Sequence, residues 1–320
     1  RSGRARPGIE TLFEVAGKDH RLATAADLGF IVGPRLNAAG RLDDMSVGIE
    51  CLLADSTASA RAKAENLHAL NRERRDIEQS MQTDALAQLD ALNLDQPDLP
   101  FAMTLYDPSW HQGVIGILAS RIRERVYRPT LIFADADEGM LKASGRSIPG
   151  LHLRDALDQV AARHPGLLTK FGGHAMAAGL TLAKADFDPF CEAINAVVAE
   201  LLDHVPPEPV ALSDGSLAPS DLTVSFAEQL AAGGPWGQHF AEPIFDNTFA
   251  VRRHRIVGEK HLKLTLESGG IEVDAIAFNI DVTEWLAAPL TQLGALYRLD
   301  VNEYRGARTP QLVIETFWPH

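Results

Sequence analysis

Phe101-Ala-Met-Thr-Leu-Tyr106, Gly113-Val-Ile-Gly-Ile-Leu-Ala-Ser-Arg-Ile-Arg-Glu-Arg-Val-Tyr127 and Thr130-Leu-Ile-Phe-Ala134 follow one another as a short apolar run, a run with apolar residues three and four apart, and a second short apolar run. Short extended runs flanking a segment of helical period read as strand, helix, strand. The alternation continues: Met140–Ser144 reads as a strand, Leu153–Arg163 as a helix, Ala177–Leu182 as a strand and Asp186–Leu202 as a helix. Strands interleaved with helices over about a hundred residues define an α/β layer.

Upstream, Asp95-Gln-Pro-Asp-Leu-Pro100 breaks the chain. From Asp55-Ser56, an N-capping pair, to Asn93 there is no Gly or Pro, and Leu67, Leu70, Ile77, Met81, Leu89 and Leu92 recur at sums of three and four. That is one long connecting helix, with Arg72, Glu73, Arg74, Arg75, Asp76 and Glu78 as a mixed-charge opposite face. Residues 8–54 read as loops between short helices, punctuated by Gly33-Pro-Arg-Leu-Asn-Ala-Ala-Gly-Arg-Leu42. Downstream, Val205-Pro-Pro-Glu-Pro209 reads as a linker. Beyond it, strand candidates near Phe249–Val257, His261–Leu266, Glu272–Phe278, Ala295–Asn302 and Gln311–Phe317 are separated by glycine turns, which fits a small barrel of the OB type and equally an SH3-like one. The expected class is α/β plus β, divided at 1–54, 55–95, 96–204 and 205–320.

The net charge of −13 over 320 residues excludes nucleic-acid binding by bulk electrostatics, so any such contact is local. The acidity is heaviest in 205–320, with 8 basic and 15 acidic side chains. Cys51 and Cys191 lie in apolar helical patterns with no second thiol or histidine at ligand spacing, and read as small core residues of a cytoplasmic protein. No apolar run approaches membrane length. The opening Arg1-Ser-Gly-Arg-Ala-Arg-Pro7 reads as the interior of a longer chain.

Five stretches can carry chemistry. In Phe171-Gly-Gly-His-Ala-Met-Ala-Ala-Gly179, Gly172 and Gly173 permit close backbone approach and His174 suits a phosphate or a base edge; a glycine turn with a structural histidine reads the same. In Lys142-Ala-Ser-Gly-Arg-Ser147, strand alternation places Lys142, Ser144 and Arg146 on one face, a cation, a hydroxyl and a forked guanidinium suited to a phosphate, or an ordinary polar strand face. Arg35, Asn37 and Arg41 project from the turn-rich segment. Trp110-His-Gln-Gly-Val-Ile-Gly116 opens a helix whose N-terminus can face an anion, with His111 as contact or cap; Arg123 and Arg125 are assigned to its outer face. In the last domain Arg252-Arg253-His254-Arg255, with Lys260 and Lys263 on the next strand, is the concentrated basic patch. No Walker loop, G-x-S-x-G elbow, H-E-x-x-H or D-H-H cluster is present; Lys18-Asp-His-Arg21 is the nearest fragment. These are binding groups without a catalytic engine.

Six segments in order, Gly33–Leu42, Trp110–Ile117, Ser144-Gly-Arg-Ser147, Phe171–Leu180, Gly234-Pro-Trp-Gly237 with Glu242-Pro-Ile-Phe245, and Leu299-Asp-Val-Asn-Glu-Tyr304, closely resemble the RecJ family of bacterial single-stranded-DNA-specific exonucleases, within the DHH phosphoesterase superfamily. The resemblance spans the whole chain. It implies 5′-to-3′ degradation of single-stranded DNA with Mn²⁺ or Mg²⁺ in repair and recombination, by a DHH domain joined through a long helix to a DHHA1 domain and an OB domain. It makes 1–54 the end of the DHH domain, with the metal-binding motifs upstream, so that no metal is expected on these residues and the chain alone is expected to lack activity. Arg35, Asn37 and Arg41 then face the metal cleft, Ser144 and Arg146 grip the 5′-terminal phosphate, Gly172, Gly173 and His174 lie across the cleft, and His111 and Arg121 are secondary strand contacts. Arg252, Arg253, Arg255 and Lys263 are candidates for the OB domain, and a monomer is expected. Two other readings remain open: a single-strand-binding or protein-docking module, for a partner such as single-strand-binding protein, and a phosphodiesterase of nanoRNA or cyclic dinucleotides.

Overall fold

The structure is a computed structural model describing residues 5–91, 99–237, 240–258, 260–280, 285–286, 288–304 and 306–319, with 89–91 described as backbone only. Leu89, Leu92 and the expected boundary at 95–96 therefore lie outside the described residues or side chains. The chain divides into two compact units, Arg1–Pro209 and Val210–His320.

In the first unit, helices α1 (Pro7–Val15), α3 (Gly33–Leu42) and α4 (Ser46–Leu53) pack on the front half of α5 (Thr57–Ala91), while the short α2 (Ala25–Asp27) leads into α3 without a buried residue. The Gly33–Leu42 stretch is thus a helix and not the expected turn-rich segment. Pro34 falls in its first turn, where the missing N–H costs nothing, and Ala38 and Ala39 are fully buried, letting α3 lie close on α5; packing outweighs the weak local propensity. At about 1.5 Å per residue α5 runs for roughly 50 Å. Ala60, Ala64, Leu67 and Leu70 bury its front half against the small helices, and Met81 and Ala85 bury its back half against the α/β layer. The expected mixed-charge face is only partly solvated. Arg74 and Glu78 pair at 3.0 Å with side chains 12% and 13% exposed, because the helix runs on beneath a neighbouring helix there.

The α/β layer has strands β1 (Met103–Tyr106), β2 (Thr130–Asp135), β3 (Met140–Arg146), β4 (Lys170–Gly173) and β5 (Ala177–Ala183), in the order β1-β2-β3-β5-β4. β1 and β2 are parallel, and the other pairs antiparallel. Helix α6 (Ile115–Val126) and the back of α5 cover one face; α7 (Leu153–Arg163) and α8 (Phe187–Leu201) cover the other. Alternation along β3 sends Leu141 and Ala143 into the α7/α8 core, leaving Lys142, Ser144 and Arg146 on the α6 side. β4 is an addition to the expected strands: Phe171-Gly-Gly173 is an edge strand rather than a turn, closed onto β5 by the bond from the His174 N–H to the Ala177 carbonyl, 2.8 Å. Cys51 is buried and Cys191 half-buried.

The second unit holds helix α9 (Val224–Gly233), which the strand reading did not include, and strands β6 (Phe245–Val257), β7 (His261–Ser268), β8 (Ile271–Phe278), β9 (Gln292–Tyr304) and β10 (Ala307–Pro319). They close into a barrel in the order β10-β8-β7-β6-β9. The five expected strands are all present, each longer than its core pattern. Tyr297 is fully buried, its hydroxyl donating to Asn247 Oδ1 at 2.7 Å, and Asn247 in turn holds both backbone groups of Leu217. Burial, with the Asp246 carboxylate nearby, raises the Tyr297 pKa above its ordinary 10.0. A raised folded-state value means that the unfolded chain loses its proton first. The contribution is therefore complete below pH 10.0 and falls as pH rises from there toward the folded value. Urea denaturation between about pH 8 and about pH 11 is expected to show this fall in the wild type and a shallower one in Tyr297→Phe, which loses about 1 kcal/mol at neutral pH from the hydrogen bond. Identical alkaline slopes in the two proteins would remove the assignment.

Candidate functional site

α3, the loop Ser109–Gly113, the start of α6, and strand β3 converge in the first unit. The convergence is tight because glycine occupies the contact points. A Cβ on Gly113 would lie 2.2 Å from the Arg41 carbonyl oxygen, and the Arg41 guanidinium returns a hydrogen bond to the Gly113 carbonyl at 3.0 Å. A Cβ on Gly116 would lie 2.9 Å from both Arg146 Nη2 and Ser144 Oγ, so glycine lets the polar face of β3 rest on the first turn of α6. No side chain caps that helix N-terminus, which carries the positive end of the helix dipole.

The result is a groove of two joined pockets, about 610 Å³ and about 340 Å³, sharing Arg41, Gln112, Gly113 and Lys142. Ser144, Arg146 and Gly173 line the smaller, while His111, Ser109 and Asp135 line the larger. Arg146 donates to Ser144 Oγ at 3.1 Å and to the Gly145 carbonyl at 2.8 Å. Burial first, and then Arg41 and Arg123, push its pKa down from the usual guanidinium range. Among the described residues no carboxylate lies within 4 Å of the charged nitrogens of Arg41, Lys142 or Arg146. The smaller pocket, whose lining holds no carboxylate, is therefore a site of unpaired positive charge, with a hydroxyl and a helix N-terminus, inside an acidic protein, while in the larger pocket Asp135 is taken up by Lys184 and Tyr106. It suits an anion with several acceptor oxygens. Nothing in it activates Ser144 as a nucleophile, since its recorded partner is a guanidinium and not a base.

The other sequence candidates sit as follows. Arg35 is 7% exposed and bonded to His68 Nδ1 at 3.2 Å and to the Ile31 carbonyl at 2.6 Å, away from the groove lining. Asn37 is exposed on α3. His111 accepts the Gly113 N–H at Nδ1, 3.0 Å, and so holds the loop as well as lining the groove. Arg121 pairs with Glu78 at 3.4 Å and Glu124 at 3.6 Å outside the groove. Gly172 is on β4, with open space where a Cβ would be. Gly173 lines the smaller pocket, and its φ of +143° requires glycine. His174 is exposed at the turn that follows.

The assignment of Arg123 to the outer face of α6 is corrected. It stands seven residues after Gly116, hence on the same helix face, toward β3, and its side chain is only 24% exposed. Gln112, which ties the loop to β2 by donating to the Asp135 carbonyl at 2.9 Å, had no signal in the sequence. Lys142 was legible from strand alternation.

In the barrel the basic patch is largely neutralised. Arg252 pairs with Glu267, Arg253 with Glu272 at 3.2 Å, and Lys263 with Asp274 at 2.9 Å; Lys260 lies in the turn before β7 rather than on it. A bulge between Val251 and Arg253 leaves consecutive arginines both exposed, and the neighbouring strands supply the acids. Arg255 has no ion pair among the described residues.

Among the described residues no group of three or more His, Cys, Asp or Glu is placed to hold a metal ion, and no helix is long and apolar enough to cross a membrane. The described residues do not by themselves fit a metal centre.

The family model of the DHHA1 domain matches residues 99–200, and that of the RecJ OB domain matches 213–316. The single-stranded-DNA-specific exonuclease RecJ of Dickeya dadantii is 52% identical over all of this chain, which spans 56% of that relative's length. The crystal structure of RecJ from Thermus thermophilus in complex with Mn²⁺ superposes with a TM-score of 0.78 at 29% identity, covering 98% of this chain and 44% of that one. The corresponding Mg²⁺ complex gives 0.78 at 28%, covering 98% and 46%. With a DHHA1 domain that supplies most of the groove, a RecJ OB domain as the barrel, and alignment over the whole of this chain to about half the length of these relatives, the chain belongs to the RecJ family.

Proposed function

We propose that this chain is the substrate-holding part of a 5′-to-3′ single-stranded-DNA exonuclease of repair and recombination, and that its groove seats the 5′-terminal phosphate. The supporting observation is the convergence of Arg41, Lys142, Ser144 and Arg146 on the first turn of α6 with no carboxylate within ion-pair distance among the described residues. Arg146 offers its fork, Ser144 its hydroxyl, and Arg41 and Lys142 their charge. His111 and Gly173 border the site, with Gly172 and His174 beside it on the hairpin, and Arg35, Asn37 and Arg121 act farther along the strand. Arg255, together with Arg252, Arg253 and Lys263 where their ion pairs open, extends the grip on the OB domain.

Mn²⁺ or Mg²⁺ is read as a requirement of the whole enzyme. The groove described here fixes a phosphate and hydrolyses nothing by itself. We read the protein as a cytoplasmic monomer, with single-strand-binding protein as a second partner of its acidic OB domain.

Fluorescence anisotropy in EDTA tests the reading with three matched oligonucleotides: 5′-phosphorylated single strand, 5′-hydroxyl single strand and blunt duplex. Affinity is expected to fall in that order. Equal affinity for all three would exclude a terminal-phosphate site.

A further inference from the structure

We infer that His68, Arg72 and Arg75 on α5, with Arg35 of α3 beneath them, form a second anion patch that takes a phosphodiester of the bound single strand. The inference rests on the reading of the groove given above and adds a contact that lies outside it.

Residues 68, 72 and 75 follow one another by four and three, so they share one face of α5. Arg35 is buried under that face, its Nε and Nη2 3.2 and 3.1 Å from His68 Nδ1. A guanidinium this buried ordinarily has a carboxylate, whereas Arg35 has an imidazole and the Ile31 carbonyl. Accepting at Nδ1 puts the His68 proton on Nε2, leaving that N–H as a further donor.

The pairing along α5 is selective. Its five cations are Arg61, Lys63, Arg72, Arg74 and Arg75. Arg61 pairs with Glu14 and Glu65, Lys63 with Glu50, and Arg74 with Glu78. Arg72 and Arg75, the two next to Arg35 and His68, have no ion pair among the described residues, although Glu73 and Asp76 are close in sequence. Charge follows the same outline: the neighbours acting on His68 are Arg35, Arg72 and Arg75, with no acid among them. Four donors gathered without a counter-charge call for an anion with several oxygens, and guanidinium forks match phosphate.

A phosphodiester is favoured over an acidic protein segment because the patch and the groove share helix α3. Arg35 and Arg41 are six residues apart, about 9 Å along the axis, which a few nucleotides of backbone span at roughly 3.4 Å each.

The test is the salt dependence of binding to a 5′-phosphorylated single strand of about twelve nucleotides, in EDTA. Wild type, Arg72→Gln/Arg75→Gln, Arg72→Lys/Arg75→Lys and Arg146→Ala are compared, each checked for folding by its thermal transition. Losing two phosphate contacts is expected to lower the slope of log K against log salt by about 1.4 in the glutamine variant, at about 0.7 per contact, and the lysine variant is expected to restore it. A glutamine variant with the wild-type slope overturns the patch, while weakened binding by Arg146→Ala in the same series leaves the groove standing. If neither variant alters binding, the reading of the groove fails as well. Loss of polyglutamate binding with an unchanged oligonucleotide slope would assign the patch to an acidic protein and overturn the inference.

Discussion

Arg146→Ala is expected to weaken binding of a 5′-phosphorylated single strand by about 10- to 100-fold and to erase most of its advantage over the 5′-hydroxyl strand. Hydrogen bonds to charged groups contribute about 1.5–3 kcal/mol, and each 1.4 kcal/mol is tenfold in affinity. The upper part of that range applies because the guanidinium is partly desolvated and has cations for neighbours. Burial and the repulsion from Arg41 and Arg123 lower its pKa, yet a guanidinium remains protonated at neutral pH. A phosphate dianion relieves that repulsion, so binding and charge balance are satisfied together. Arg146→Lys is expected to recover little, since lysine keeps the charge but lacks the planar fork. Ser144→Ala, which removes one neutral donor, is expected to cost only several-fold. Anisotropy titrations with both 5′ ends measure all of these. An Arg146→Ala chain that still prefers the phosphorylated end by the wild-type ratio would place the phosphate elsewhere.

What the sequence shows of this site follows from how local each determinant is. Lys142, Ser144 and Arg146 are legible because a strand has period two and all three share one segment. Arg41 stands out in the sequence only as one of three polar residues of a glycine-punctuated segment, and what singles it out is its partner, the Gly113 carbonyl, seventy-two residues away. The need for glycine at 116 is set by Ser144 and Arg146 on another element, and nothing near position 116 announces it. Helix α3 reads as loop in the sequence because Gly33-Pro34 and Gly40 carry local turn signals, whereas the burial of Ala38 and Ala39 on α5 decides the outcome. Strand β4 is four residues long with two glycines, too short and too weak in propensity to register without β5 beside it. In the barrel the opposite error arose. The cluster Arg252–Arg255 stood out, but its acids, Glu267, Glu272 and Asp274, reach it only through strand register.

The same comparison explains how a chain of net charge −13 can hold an anion. Its cations are mostly spent on internal pairs, on the barrel and along α5 alike. Among the described residues without an ion pair, Arg41, Lys142 and Arg146 meet at the groove and Arg72 and Arg75 share the face of α5 above Arg35, whereas others, such as Arg255 on the barrel, stand singly. Selectivity then comes from where charge is left unpaired rather than from how much of it there is.

Gly113→Ala is expected to lower both stability and binding, because one atom blocks the join between α3 and the loop before α6. The new Cβ would lie 2.2 Å from the Arg41 carbonyl oxygen and 3.1 Å from His111 Cε1. The first obstacle is backbone, which cannot swing aside as a long side chain can. The loop must retreat, and it takes with it the Gly113 carbonyl that accepts from Arg41 and the Gly113 N–H that His111 accepts. Overpacking of this kind costs about 1–3 kcal/mol, and at about 2–4 °C per kcal/mol for a unit of this size the transition temperature should drop by several degrees. Oligonucleotide affinity should fall about as far as in Arg41→Ala, since the same guanidinium is displaced in one case and removed in the other. Gly29→Ala is the matched control: a Cβ there meets nothing within 4 Å, and both properties are expected to stay near wild type. Calorimetry and anisotropy on the three variants decide the matter. A Gly113→Ala protein that melts lower but binds as wild type would show that Arg41 does not need this loop to reach the phosphate, and would detach the α3 helix from the site.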